Sequence, residues 1–213
     1  RHQANAVWLE ARPILVMALV YFAATKLALA LVDLDPNAGS LWPASGIAFA
    51  AMVLYGTRLW PGVFAGAFLA LVSGETSNST IAAFLMAAGN TAEAVVGTTL
   101  ALKAFDFRKE LDRPRDVIVL FIPVALVTSL ISASVGSWAL YLDGWVTTDT
   151  MLPRTIVWWL GDALGIAIVA PLILTLRFGA PRRAPRRGLQ NWYLMILCAA
   201  ALLTFSTPPR LGA

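Results

Sequence analysis

Residues 117–142 read VIVLFIPVALVTSLISASVGSWALYL, a run without a single Asp, Glu, Lys or Arg. At 1.5 Å of rise per residue such a helix outreaches the roughly 30 Å of hydrocarbon in a bilayer, so it reads as a membrane span. The neighbouring stretches repeat the pattern. Spans are predicted from Pro13 to Val32, Trp42 to Tyr55, Trp60 to Ser73, Thr80 to Ala104, Val117 to Leu142, Thr155 to Leu176 and Leu189 to Ser206. The second and third are short and are separated only by the Gly56-Thr57-Arg58 break. Gly and Pro punctuate both ends, which favours a tight helical hairpin over one interrupted span. The expected fold is therefore all-α, a polytopic helical membrane bundle of about seven spans. Residues 1–12 form an N-terminal cytoplasmic segment, 13–206 the membrane-embedded domain and 207–213 a truncated connector.

Composition excludes a soluble domain: 59% of the residues are hydrophobic and 13% charged, against the roughly 25% charged of an ordinary soluble chain. The net charge of +4 and pI near 9.6 do not point to nucleic acid. The basic residues sit in short connections: Lys103, Arg108, Lys109, Arg113 and Arg115 after the fourth span, and Arg177, Arg182, Arg183, Arg186 and Arg187 after the sixth. The alternate connections, Asp33 to Asn37, Gly74 to Ser79 and Asp143 to Asp149, are acidic or neutral. Loops bearing Lys and Arg stay cytoplasmic, so the N-terminus is expected inside. Seven spans then place Ala213 outside, and a cytoplasmic output would need an eighth span beyond it. Cys198, alone in an apolar run, reads as an inert packing thiol.

Ionisable side chains within spans are costly, and they face the bundle interior or a partner. Lys26 in the first span, Glu93 in the fourth and Asp162 in the sixth qualify. Counted from the outer ends of their helices, Lys26 lies at a depth of roughly 10 Å and Asp162 of roughly 12 Å. They are placed to meet as a buried ion pair, to contact a ligand or a proton, or to leave Lys26 snorkelling outward. Glu93, at roughly 20 Å, is a poorer partner for Lys26; Asn90 one turn before it, a hydroxyl, or a proton on the carboxyl itself would satisfy it. Trp42, Trp158 and Trp159 open spans toward the outer side. They suit either an interfacial belt or the wall of a site that also holds Ser45. The small-residue pairs Gly62/Gly66, Ser132/Gly136 and Gly161/Gly165 predict close helix contacts, and Pro123 and Pro171 are candidate kinks.

The strings Trp42-Pro43-Ala44-Ser45-Gly46-Ile47-Ala48, Tyr55-Gly56-Thr57-Arg58-Leu59-Trp60-Pro61-Gly62 with Gly66, and Trp158-Trp159-Leu160-Gly161-Asp162-Ala163-Leu164-Gly165-Ile166 with Pro171-Leu172 resemble the bacterial membrane-associated sensor domain MASE, type one. Lys26, Asn90 to Ala94, Arg115-Asp116 and Ser132-Ala133 fit the same pattern. The resemblance implies about eight spans. It also implies a position N-terminal to a diguanylate cyclase, a cyclic-di-GMP phosphodiesterase or a histidine kinase of a two-component system. It supplies no catalytic residue.

The function expected is a sensory input domain. A small ligand or membrane cue acts near Lys26, Trp42, Ser45, Asn90, Glu93, Trp158, Trp159 and Asp162, and a C-terminal output domain of the same chain reads it. The lipid bilayer is the surrounding partner, and a homodimer is allowed. No cofactor, metal or nucleic acid is called for. A small-solute transporter or channel is the alternative, since intramembrane charges also mark substrate paths. An intramembrane enzyme is disfavoured because the one histidine, His2, lies outside the spans. A Ser-Lys pair of Ser45 and Lys26 is the remaining catalytic arrangement.

Overall fold

The computed structural model describes residues 2–34, 41–74 and 79–178. The expected seventh span, Leu189 to Ser206, lies outside the described residues, as do Cys198, the Arg182 to Arg187 cluster and the 207–213 connector. The described elements are helical: α1 His2–Leu34, α2 Pro43–Tyr55, a short 3-10 turn Thr57–Leu59, α3 Trp60–Val72, α4 Thr80–Thr99, α5 Pro114–Val119, α6 Ser129–Leu142 and α7 Thr148–Phe178. A π-helical turn, Leu100–Ala104, prolongs α4, and a longer π-helical stretch, Leu120–Thr128, joins α5 to α6 in one rod.

Four of these rods are long and apolar enough to cross a membrane: Ala11–Leu31, Thr80–Ala104, Pro114–Leu142 and Thr148–Phe178. The expectation of about seven spans is reduced to four among the described residues. Helices α2 and α3 have 13 residues each, about 20 Å of rise, which falls short of a full hydrocarbon core. The sixth run also starts earlier than hydropathy suggests, at Thr148, because Thr148, Asp149 and Arg154 are helical although polar. Residues 2–10 continue α1 as helix ahead of its apolar stretch.

Proline and glycine set the boundaries of the short helices. Pro43, Pro61 and Pro114 sit in the first turns of α2, α3 and α5, where a missing N–H costs nothing. Gly56, at φ +95°, ends α2 and donates its N–H to the Met52 carbonyl at 2.8 Å. The expected helical break is present, but the two helices do not pack as a pair. Helix α3 lies against α1 and α4, while α2 lies against α7, α4 and α1. Helix α2 is thereby central, with Ala44, Ala48, Phe49, Ala50 and Met52 almost completely buried.

Glycines bring the rods together as the small-residue spacing predicts. A Cβ on Gly62 would lie 2.9 Å from that of Met17, and one on Gly66 2.9 Å from that of Tyr21, so α3 runs beside α1 in the same direction. Outward-facing Leu15, Leu19, Leu27, Ile122, Leu142 and Leu172 are exposed, as a lipid-facing surface requires. Pro123 falls inside the π-helical stretch and Pro171 inside an uninterrupted α7.

Loop charges separate by end. At one end the loop after α4 meets the end of α7, with Lys109 Nζ 5.4 Å from the centre of the Phe178 ring. Arg113 there binds Asp116 at 2.9 Å and Asp106 at 3.2 Å, and these carboxylates, Asp116 foremost, hold its guanidinium firmly charged. At the opposite end Asp143 accepts the Ser79 N–H at 2.8 Å, next to the start of α4.

Two predictions follow from this packing. Gly165→Ala puts a Cβ into the Trp42 carbonyl, and the protein should lose about 1–3 kcal/mol of stability, read as thermal unfolding in detergent. Hydrogen bonds from the Ser79 side chain, first, and from its backbone N–H hold the Asp143 carboxyl below its ordinary range. A depressed folded value means that the contribution is present above the unfolded value and is lost as pH falls through the folded one. Melting temperature should therefore decline more steeply with acidification in the wild type than in Asp143→Asn.

Candidate functional site

The site forms where α2 begins. The Trp42 N–H donates to the Gly161 carbonyl of α7 at 2.9 Å. A Cβ on Gly46 would lie 2.8 Å from that of Val169 and collide with the Gly165 carbonyl. Backbone therefore touches backbone at Gly46 and Gly165, which draws the start of α2 to the mid-length of α7. Asp162 follows Thr148 by 14 residues and precedes Phe178 by 16. Trp42 thus lies against the mid-length of α7, in the site-wall position that was one of its two expected places.

Asp162 is completely buried. Ser45, in the first turn of α2, donates its hydroxyl to Oδ1 at 2.7 Å, and Ser132 of α6 donates to Oδ2. The Trp158 indole, one turn earlier on α7, lies beside this carboxyl. That ring lies over Gly136, where any side chain would strike it. The first turn of α2 also presents the positive end of its helix dipole, which favours negative charge. Among the described residues no Lys or Arg forms an ion pair with Asp162.

Glu93 of α4 is the second buried carboxyl, 1% exposed. Its Oε1 accepts the Ser129 hydroxyl at 2.7 Å, the hydroxyl partner being one of the expected possibilities. Its Oε2 has no partner among the described residues. Ser129 and Ser132 lie one turn apart on α6 and so serve the two carboxyls, which are close enough to feel each other's charge. Tyr21 of α1, 1% exposed, faces both of them and the Trp42 indole. The Tyr21 hydroxyl, Trp42 Nε1 and Asn90 Oδ1 are buried without a hydrogen bond among the described residues.

Six of the eight expected site residues converge: Trp42, Ser45, Asn90, Glu93, Trp158 and Asp162. Lys26 and Trp159 do not. Lys26 donates to the Ser73 carbonyl at 3.0 Å, where it caps the C-terminus of α3 at the acidic end. The ion pair with Asp162 is absent, and so is the catalytic proximity of Lys26 to Ser45, whose hydroxyl is bound to Asp162. The long lysine stem carries the ammonium away from the apolar interior, the snorkelling reading. Trp159 donates its indole N–H to the Leu126 carbonyl at 2.7 Å, in the π-helical stretch.

Sequence reasoning missed Tyr21 and Ser129 as site residues and read Ser132 only as a packing position. Hydroxyls in apolar helices usually bond their own backbone, as Thr91 does to Ala87 at 2.7 Å and Thr128 to Val124 at 2.6 Å. Spacing alone does not separate those from hydroxyls turned toward a carboxyl. The two apolar clefts of the bundle lie elsewhere, one between α2 and α7 and one between α1 and α2, and both include Ile47, Ala51 and Tyr55. Neither includes a buried carboxyl.

A bundle of apolar rods around a polar centre, with no metal-binding cluster of His, Cys, Asp and Glu among the described residues, is the architecture of an integral membrane domain. The MASE1 profile matches residues 13–209, and the chain belongs to the MASE1 family of membrane-associated sensor domains. No curated protein and no solved structure matches it.

Ser132→Ala removes a donor from a buried carboxyl and should cost about 1.5–3 kcal/mol in unfolding from detergent. Ser137→Ala removes a buried hydroxyl that has no partner among the described residues and should be close to neutral by the same measurement.

Proposed function

We propose that the chain is the sensory input domain of a bacterial signalling protein, embedded in the inner membrane with its N-terminus in the cytoplasm. The observation that carries this reading is the uncompensated Glu93 and Asp162 pair, held by side chains from α2, α4, α6 and α7. A polar centre shared by four helices lets one local event alter several helix contacts at once. The basic end, with Arg12, Arg58, Lys109, Arg113 and Arg177, is the cytoplasmic one by the positive-inside rule. Helix α7 carries Asp162 at its middle and runs to that end, so it is the natural element to pass a change toward an output domain C-terminal to it. A kinase, a cyclase or a phosphodiesterase would serve as the output.

A cue acts only if it prefers one of two helix arrangements, because equal affinity for both shifts nothing. Transport is the second reading, supported by the half-length α2 whose N-terminus faces a carboxyl at mid-depth, an arrangement that transporters also use. The experiment is Asp162→Asn in the full-length parent protein, with the output activity measured in membranes. The sensory reading expects a change of about tenfold, equivalent to a bias of roughly 1.4 kcal/mol between the two states, with the protein still inserted. Unchanged output with this variant, together with solute flux through proteoliposomes of the chain, would favour transport instead.

A further inference from the structure

We infer that Glu93 and Asp162 together bind one exchangeable proton, carried on Glu93 Oε2, and that proton binding is the cue, or part of it; this rests on the sensory reading above. Two ionised carboxyls without a cation would place two negative charges in a buried, apolar setting, at a cost of several kcal/mol for each. One positive charge must offset them. Two apolar clefts, which share Ile47, Ala51 and Tyr55, do not include the pair, and a proton is the smallest cation that can offset one of the charges.

The hydrogen bonds say which oxygen holds it. Asp162 accepts from Ser45 and Ser132 and faces the first turn of α2. An ionised carboxylate only accepts, so this is the environment of the charged member. Glu93 accepts once, from Ser129. Its Oε2 and the Oδ1 of Asn90, one turn earlier on the same face of α4, are two buried acceptors without a donor. A proton on Oε2 converts one of them into the donor that the pair lacks.

The opposite wall supplies the complementary imbalance. The Tyr21 hydroxyl and Trp42 Nε1 are buried donors without an acceptor, and Tyr21 faces both carboxyls. When the proton leaves Glu93 for bulk water, the new carboxylate draws on these donors and not on Asn90. Loss of one proton thereby moves hydrogen bonding from α4 toward α1 and the start of α2. Tyr21, Glu93 and Asp162 are the titratable groups that face one another here; Lys26, on the same helix as Tyr21, is engaged with Ser73.

The test is infrared difference spectroscopy of the full chain in nanodiscs of neutral lipid, following the C=O stretch of a protonated carboxylic acid. The pH is stepped upward in sodium-free choline buffer, and NaCl is then added at constant pH. The expected result is one such band that disappears as pH rises, returns on acidification and ignores NaCl. Glu93→Gln should abolish it, and Asp162→Asn should move the pH at which it disappears. A wild-type spectrum with no titrating carboxyl band overturns the proposal, as does a band unaffected by Glu93→Gln. A band removed by NaCl at constant pH also overturns it, by making sodium the occupant. If Glu93→Gln does not fold, the reversible wild-type titration and its indifference to NaCl decide alone. A titrating band with full-length output indifferent to pH would keep the proton site and remove the sensory role.

Discussion

A carboxylate cannot sit in the middle of an apolar bundle without donors around it, and the architecture of this domain answers that demand at Asp162. Water is excluded there, so the donors must come from protein. They arrive from Ser45 on α2 and Ser132 on α6, with the Trp158 ring of α7 beside them. Each delivery imposes a packing condition. Ser45 reaches because α2 begins against Gly161 and Gly165, and Trp158 lies flat because Gly136 has no side chain to displace it. The small residues that bring these helices close also position the polar atoms.

The half-length of α2 follows from the same demand. A helix starting near the middle of α7 places unpaired N–H groups and the positive end of its dipole at mid-depth, where a full span would present only closed backbone. The apolar remainder of α2 packs against α1, α4 and α7. A second departure from regular helix occurs at Leu120–Thr128, where Pro123 cannot donate to the ladder. The π-helical geometry there accompanies a Leu126 carbonyl that is bound by the Trp159 indole. Two neighbouring tryptophans of one motif thus serve different purposes: Trp158 turns inward to the carboxyl, and Trp159 fastens α7 to the π-helical stretch.

The pairing of polar atoms around Glu93 and Asp162 is incomplete among the described residues. The polar centre contains donors and acceptors that are buried yet unmatched, Tyr21 and Trp42 on one side and Asn90 and Glu93 on the other. Unmatched buried groups are costly, and each calls for a partner such as a water, an ion or a proton. The lipid-facing surfaces carry no such burden, since their leucines and isoleucines are satisfied by hydrocarbon.

The helical membrane class, the loop charges and most of the rods were legible in the amino-acid sequence, because hydrocarbon thickness converts directly into run length and because Lys and Arg avoid the bilayer. The Trp-Trp-x-Gly-Asp-x-x-Gly string marked the right neighbourhood. Depth and partnership were not legible. Hydropathy counts from the ends of a run, and the polar first turns of α7 hid the start of the helix, so the position of Asp162 near its mid-length was not visible. The Lys26 pairing failed for a related reason: a lysine stem reaches about as far as a helix turn, and the end of α3 was nearer than Asp162. Which hydroxyls turn toward a carboxyl, and the start of α2 at mid-depth, were decided by tertiary contacts between glycines far apart in the chain, which no local pattern encodes.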